Sequence, residues 1–158
     1  MAAIVLNEEQ AVANSRLTAL RLVELALRSM ETWRRNVGDY DSAMVLLAVV
    51  AITAGRLLRS DLDPELRNMG NAVPGDRLGR CSYSSIAAAT GLNRETTRRK
   101  VAQLVERGYL VRTEDGSIRF PDGYLQRQGP ADIVRSQLES FIRTANELVR
   151  DGVIEIVE

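Results

Sequence analysis

Gly91 separates two short stretches of helical periodicity, and this constrains the fold of the 158-residue chain more than any other feature. Before it, Ser84 or Ser85 can cap a short helix in which Ile86 and Ala87 begin the apolar face. Gly91 sits where a tight turn between helices needs a permissive backbone. Leu92 closes the turn from inside, and Asn93 caps the next helix. Thr97, Val101, Leu104 and Val105 then recur at helical spacing and should face a core. That leaves Arg94, Glu95, Arg98, Arg99 and Lys100 toward solvent. Gly108 ends the helix. Tyr109 to Thr113 and Ile118 to Phe120 read as strands, with Asp115-Gly116 as the hairpin signal between them. Helix, turn, helix and hairpin in this order predict a winged helix over residues 84–120.

The flanks predict helices. Asn7 can cap a helix running to about Val37 and ending at Gly38, with Gln10 where a capping-box partner would sit. Val12, Leu20, Val23, Leu27 and Met30 share a face, while Leu17, Leu22 and Leu25 point elsewhere, so more than one neighbour should cover this helix. Asp41 or Ser42 can cap a second, largely apolar helix over 43–58. Asp63-Pro64 suggests a short helical turn, and the glycines and proline of 68–80 a loop. After a linker over 122–130, a helix is expected from about Ala131 to Arg150, stopped by Gly152. In it Val134, Leu138, Phe141, Ala145 and Leu148 alternate steps of four and three, the seam of a helix that packs along another helix. Val153 to Val157 can form a short strand. The expected class is mainly α with an α+β wing: a helical dimerisation segment over 1–40, a winged helix-turn-helix over 41–123 and a second dimerisation segment over 124–158.

Composition narrows the chemistry. Histidine is absent, which removes the commonest general base and metal ligand. Cys81 is the only cysteine, so no intrachain disulfide or cysteine cluster can form, and a reducing, cytoplasmic compartment fits. Cys81 can be a redox sensor beside Arg80 or a small packed residue. Asp61 with Asp63, and Asp39 with Asp41, are carboxylate pairs at helix ends, where capping accounts for them. No phosphate loop, metal spacing or cofactor motif is present, so neither an enzyme nor a metal site is expected. The uncharged run from Ser42 to Gly55 is too short to span a bilayer. Trp33 and Tyr40 can line an effector pocket or pack in a core, and the sequence names no effector. Formal net charge is zero, yet it is polarised. Between Arg77 and Arg112, eight basic residues (Arg77, Arg80, Arg94, Arg98, Arg99, Lys100, Arg107 and Arg112) face two acidic ones, Glu95 and Glu106. The segment therefore carries +6 against −6 elsewhere, as phosphate binding requires.

The stretch from Ile86 through Gly91, Asn93, Arg94 and Glu95 to Arg99, continued by Leu104, Gly108, Tyr109 and Leu110, resembles the helix-turn-helix of bacterial winged-helix regulators. It is especially similar to the DNA-binding domain of the cyclic-AMP receptor and fumarate-nitrate regulator superfamily. The resemblance implies that Arg94, Glu95 and Arg99 contact base edges. Thr97 stands at a site usually aliphatic there, and Arg98 at one usually small. The layout, with helices on both sides, is similar to the multiple-antibiotic-resistance regulator family. The expected function is sequence-specific binding of double-stranded DNA by a homodimeric transcription regulator, with residues 93–107 in the major groove. Its contacts are expected from Ser84, Ser85, Asn93, Arg94, Glu95, Thr96, Arg98, Arg99 and Lys100. Arg112 and Arg119 on the wing either reach a phosphate or minor groove or remain solvated. Self-association is expected through the terminal helices, including Leu138 and Phe141. The alternative is a winged helix that serves as a protein assembly module.

Overall fold

The computed structural model describes residues 2–55, 57–59 and 62–157. It is mainly helical, with small antiparallel two-stranded sheets. The chain divides into two compact units. A central unit is continuous, Arg34–Asp132, and a terminal unit joins Met1–Trp33 to Ile133–Glu158. The expected boundaries at 40 and 123 therefore shift to 33 and 132, and the two flanking segments form one unit.

The terminal unit begins with β1 (Ala3–Leu6), followed by α1 (Glu8–Ala13) and α2 (Ser15–Val37), whose last turn belongs to the central unit. It ends with α6 (Gln128–Arg150), whose first turns also belong to the central unit, and β4 (Ile154–Val157). Asn7 caps α1 by accepting from the Gln10 backbone N–H at 3.0 Å, as the sequence predicts. The single helix expected from there to Val37 is instead broken at Asn14. The Asn14 amide donates to Gln10 Oε1 and to the Asp151 carbonyl, which fixes the break. β1 was not expected. It pairs antiparallel with β4, Ala3 opposite Val157 and Leu6 opposite Ile154. The C-terminal helix starts at Gln128 rather than Ala131, with Pro130 tolerated in the first turn, and Gly152 stops it at φ +73°. Val12, Leu20, Val23 and Leu27 were expected to be covered. In the single chain they are exposed.

In the central unit, α3 (Tyr40–Ala54) is the core helix. Ala43, Val45, Leu46 and Val49 are almost wholly buried, as expected of a helix apolar around most of its girth. It starts three residues early, because Asp39 and not Asp41 or Ser42 is the cap: its carboxylate accepts from Ser42 N at 2.9 Å and Ser42 Oγ at 2.8 Å. Gly55 follows its last residue, so the helix stops short of Leu58. Short 3-10 turns at Pro64–Arg67 and Gly75–Arg77 punctuate the connection to α4 (Tyr83–Thr90). α5 (Arg94–Glu106) and the hairpin β2 (Val111–Arg112) with β3 (Ile118–Arg119) complete the unit. Ile86 of α4, Val101 and Leu104 of α5, Leu110 and Ile118 close the core with no exposed surface.

Candidate nucleic-acid interface

α4 begins one residue before the expected caps. Ser82 is its N-cap, accepting from Ser85 N at 3.1 Å while Ser85 Oγ accepts from Ser82 N at 2.9 Å. This reciprocal box saturates Ser85 locally, and leaves Ser84 exposed on the first turn. The helix ends at Gly91 with φ +72°, the left-handed conformation that the turn requires. Asn93 then caps α5, its side chain accepting from Thr96 N at 2.8 Å.

α5 is amphipathic by construction. Thr97, Val101 and Leu104 have no exposed surface. Burying a hydroxyl at Thr97 costs little because its Oγ1 donates to the Asn93 carbonyl at 2.9 Å. Arg94, Glu95, Arg98 and Arg99 are exposed along the opposite face. None of these three arginines has an ion-pair partner among the described residues. Their donors are unspent, and they project from the first turns of a helix held on a packed core.

Lys100 departs from expectation. Its side chain is only 13% exposed and Nζ lies 2.8 Å from Asp39 Oδ1. It ties α5 to the start of α3 and is not left to solvent. Partial burial pushes the Asp39 carboxyl up, but hydrogen bonds from Lys100 and Ser42 together hold it at about 2. Two further members of the basic segment are also engaged: Arg77 with Asp63 at 3.2 Å and Arg80 with Asp115 at 2.7 Å. Arg107 donates to the Val37 carbonyl and lies over the Tyr109 ring.

The hairpin tip is organised by Asp115, which accepts from Ser117 Oγ, Thr113 Oγ1 and Ser117 N and stands beside Arg80. These donors hold its carboxyl well below the usual range. Gly116 takes φ +81° at the turn. Arg112 is exposed, its guanidinium 5.8 Å from the Tyr83 ring at the start of α4. Arg119 is engaged by Asp122 and the Phe120 carbonyl, each at 2.8 Å. The structure thus separates the two hairpin arginines. Cys81 extends the hairpin: Cys81 N donates to the Ile118 carbonyl at 3.1 Å and Ile118 N to the Cys81 carbonyl at 2.8 Å. Its thiol is buried and pushed up to about 11 by that burial.

A cavity of about 500 Å³ lies among Val50 and Thr53 of α3, Leu78, Phe120 and Tyr124. Neither Trp33 nor Tyr40 lines it; Trp33 is half-buried and Tyr40 exposed. Asp63 serves Arg77, and Asp61 lies outside the described residues. No group of three or more His, Cys, Asp or Glu is placed to hold a metal ion among the described residues. No single helix among them is long and apolar enough to cross a membrane. No protein-family model, curated protein or solved structure matches this chain.

Proposed function

We propose that the central unit is a winged helix-turn-helix that binds double-stranded DNA sequence-specifically, and that the protein is a cytoplasmic transcription regulator working as a homodimer. It acts by binding and not by catalysis. The observation that carries this reading is the exposed face of α5, with Arg94, Arg98 and Arg99 unpaired among the described residues on a helix whose other face is core. The major groove admits one α-helix. Arg94 and Arg99 can each donate two parallel hydrogen bonds to a guanine, and Glu95 can accept from a cytosine amino group. Arg98 adds charge against the phosphates, as does Arg112 from the wing. Ser84, Asn93 and Thr96 flank the helix starts and orient it against the backbone. Ser85, Lys100 and Arg119 are left out of the proposed contact set because each is engaged within the chain, whereas Asn93 uses only its Oδ1 in capping α5.

Two copies present two such helices to successive major grooves, each reading half of a near-palindrome. Selection of bound sequences from a random duplex pool tests this. Enrichment of an inverted repeat is expected. A pool that stays random at low salt overturns DNA reading and leaves assembly with other proteins as the role.

A further inference from the structure

The terminal unit is built with its apolar side chains outward. Among the described residues, every large hydrophobic side chain that stays exposed lies in it, Tyr40 alone excepted. The antiparallel pair α2 and α6 is joined by polar contacts. Arg21 meets Glu147 at 3.0 Å and Asp151 at 2.6 Å. Arg28 donates to Thr144 Oγ1 at 3.1 Å, and the Gln137 amide to the Ser29 carbonyl at 3.0 Å. Thr18 Oγ1, Arg28 Nε and Ser140 Oγ are buried without a hydrogen-bond partner. Polar contacts of this kind stabilise a helix pair weakly, and the orphaned polar atoms oppose it.

The apolar surface lies elsewhere on the same helices. On α6, Val134, Leu138, Phe141 and Ile142 are about half exposed, Phe141 at 58%. At the helical repeat they share an arc roughly 100° wide in which no charged residue falls. On α2, Leu20, Val23 and Leu27 are about 60% exposed. The β1–β4 ribbon has one wholly aliphatic face, because the register sets Ile4 opposite Ile156 and Leu6 opposite Ile154. Ile4 and Ile156 are each about two-thirds exposed. A ribbon of two strands is marginal unless something packs on its apolar face.

We infer that these surfaces are buried against a second copy of the chain, with the Val134–Ile142 stripe of α6 at the centre of the interface. This deepens the homodimer reading above and requires no DNA. Ten such side chains at roughly half exposure leave on the order of 800 Å² of apolar surface in water, about what each partner brings to a stable interface. The stripe carries no charge to attract an ionic ligand. Its four-and-three spacing fits a helix of the same spacing, and a second copy supplies one. Closed pairs of identical chains are the commonest assembly.

Sedimentation equilibrium of the full chain at roughly 5–50 µM, without DNA, tests the inference, because interfaces of standard size bind at micromolar affinity or tighter. The two-chain mass is expected, and the denaturant midpoint should rise with protein concentration. Phe141→Asp should shift the species to one chain, and the milder Leu138→Ser should weaken association at least about tenfold. Should Phe141→Asp fail to fold, Leu138→Ser and the concentration dependence still decide. A one-chain mass for the wild type overturns the inference and assigns these surfaces to a different partner. A two-chain mass unaltered in both variants overturns it by placing the interface elsewhere. Neither outcome bears on DNA binding by a single central unit, which low-salt titration with duplex DNA reads separately.

Discussion

Asp39 holds together two elements that the sequence keeps apart. It caps α3 through Ser42 and clamps Lys100 of α5 at 2.8 Å. Asp39→Ala should cost about 1–2 kcal/mol in chemical denaturation, from a lost cap and a largely buried Lys100 side chain left without its partner. Asp39→Asn should recover part of this, because it keeps the cap acceptor. The folded-state carboxyl at about 2 lies below the unfolded value of about 3.9. The stabilisation is therefore complete above the unfolded pKa and lost as pH falls through the folded one. The gap in melting temperature between wild type and Asp39→Ala should narrow as pH is lowered from 5 toward 2. Cys81 gives a second test. Its thiol donates to the Ile118 carbonyl at 3.1 Å and is held up near 11 by burial, which favours packing over redox sensing. A thiol reagent at pH 8 should label the native protein on the order of 100-fold more slowly than the unfolded chain. Equal rates would return Cys81 to the list of sensors.

At the scale of elements, the proposed reading of DNA sequence rests on α5. Arg94→Ala and Arg99→Ala should each weaken binding to the selected site by about 1–3 kcal/mol and binding to random duplex much less. Equal losses on both would make them phosphate contacts. α5 was legible because its signals are local: Asn93 as cap, Thr97, Val101 and Leu104 at helical spacing, and glycine at the turn before it. Asp-Gly placed the hairpin for the same reason, since Gly116 alone has the required φ there. What was illegible depends on partners far along the chain. Asp41 and Ser42 read as the candidates for the cap of α3, but Asp39 is the one used, and Lys100, 61 residues later, accompanies it. Lys100 likewise reads as a free cation until Asp39 is beside it. β1 is only four residues without alternation, and its pairing partner β4 lies at the opposite end of the sequence. The caps of α4 slipped to Ser82 because three serines in four positions offer equivalent acceptors and only the reciprocal bond with Ser85 separates them.

For the whole molecule, charge and topology set the behaviour. Binding should weaken steeply with salt, with a log–log slope of about −0.9 for each phosphate neutralised. Arg77, Arg80 and Lys100 are ion-paired, so Arg94, Arg98, Arg99 and Arg112 should dominate that slope. Titration of duplex DNA across about 50–200 mM salt measures it, and a flat response would remove phosphate contact from the account. The division into units has a consequence in time. The central unit is one continuous stretch, whereas the terminal unit needs both β1 and β4, which are separated by nearly the whole sequence. During synthesis Asp132, the last residue of the central unit, is joined before any of residues 133–158, so the central unit leaves the ribosome ahead of them. β1 and α2 must wait for α6 and β4, through Val157, to be made. At about 5–20 residues per second the wait from Leu27 onward is on the order of 10 s. For that interval Leu20, Val23 and Leu27, which α6 leaves about 60% exposed, lack the proposed second chain, and Arg21 and Arg28 lack their partners on α6. A growing chain of this design is therefore most exposed to chaperones and to aggregation before its second half exists.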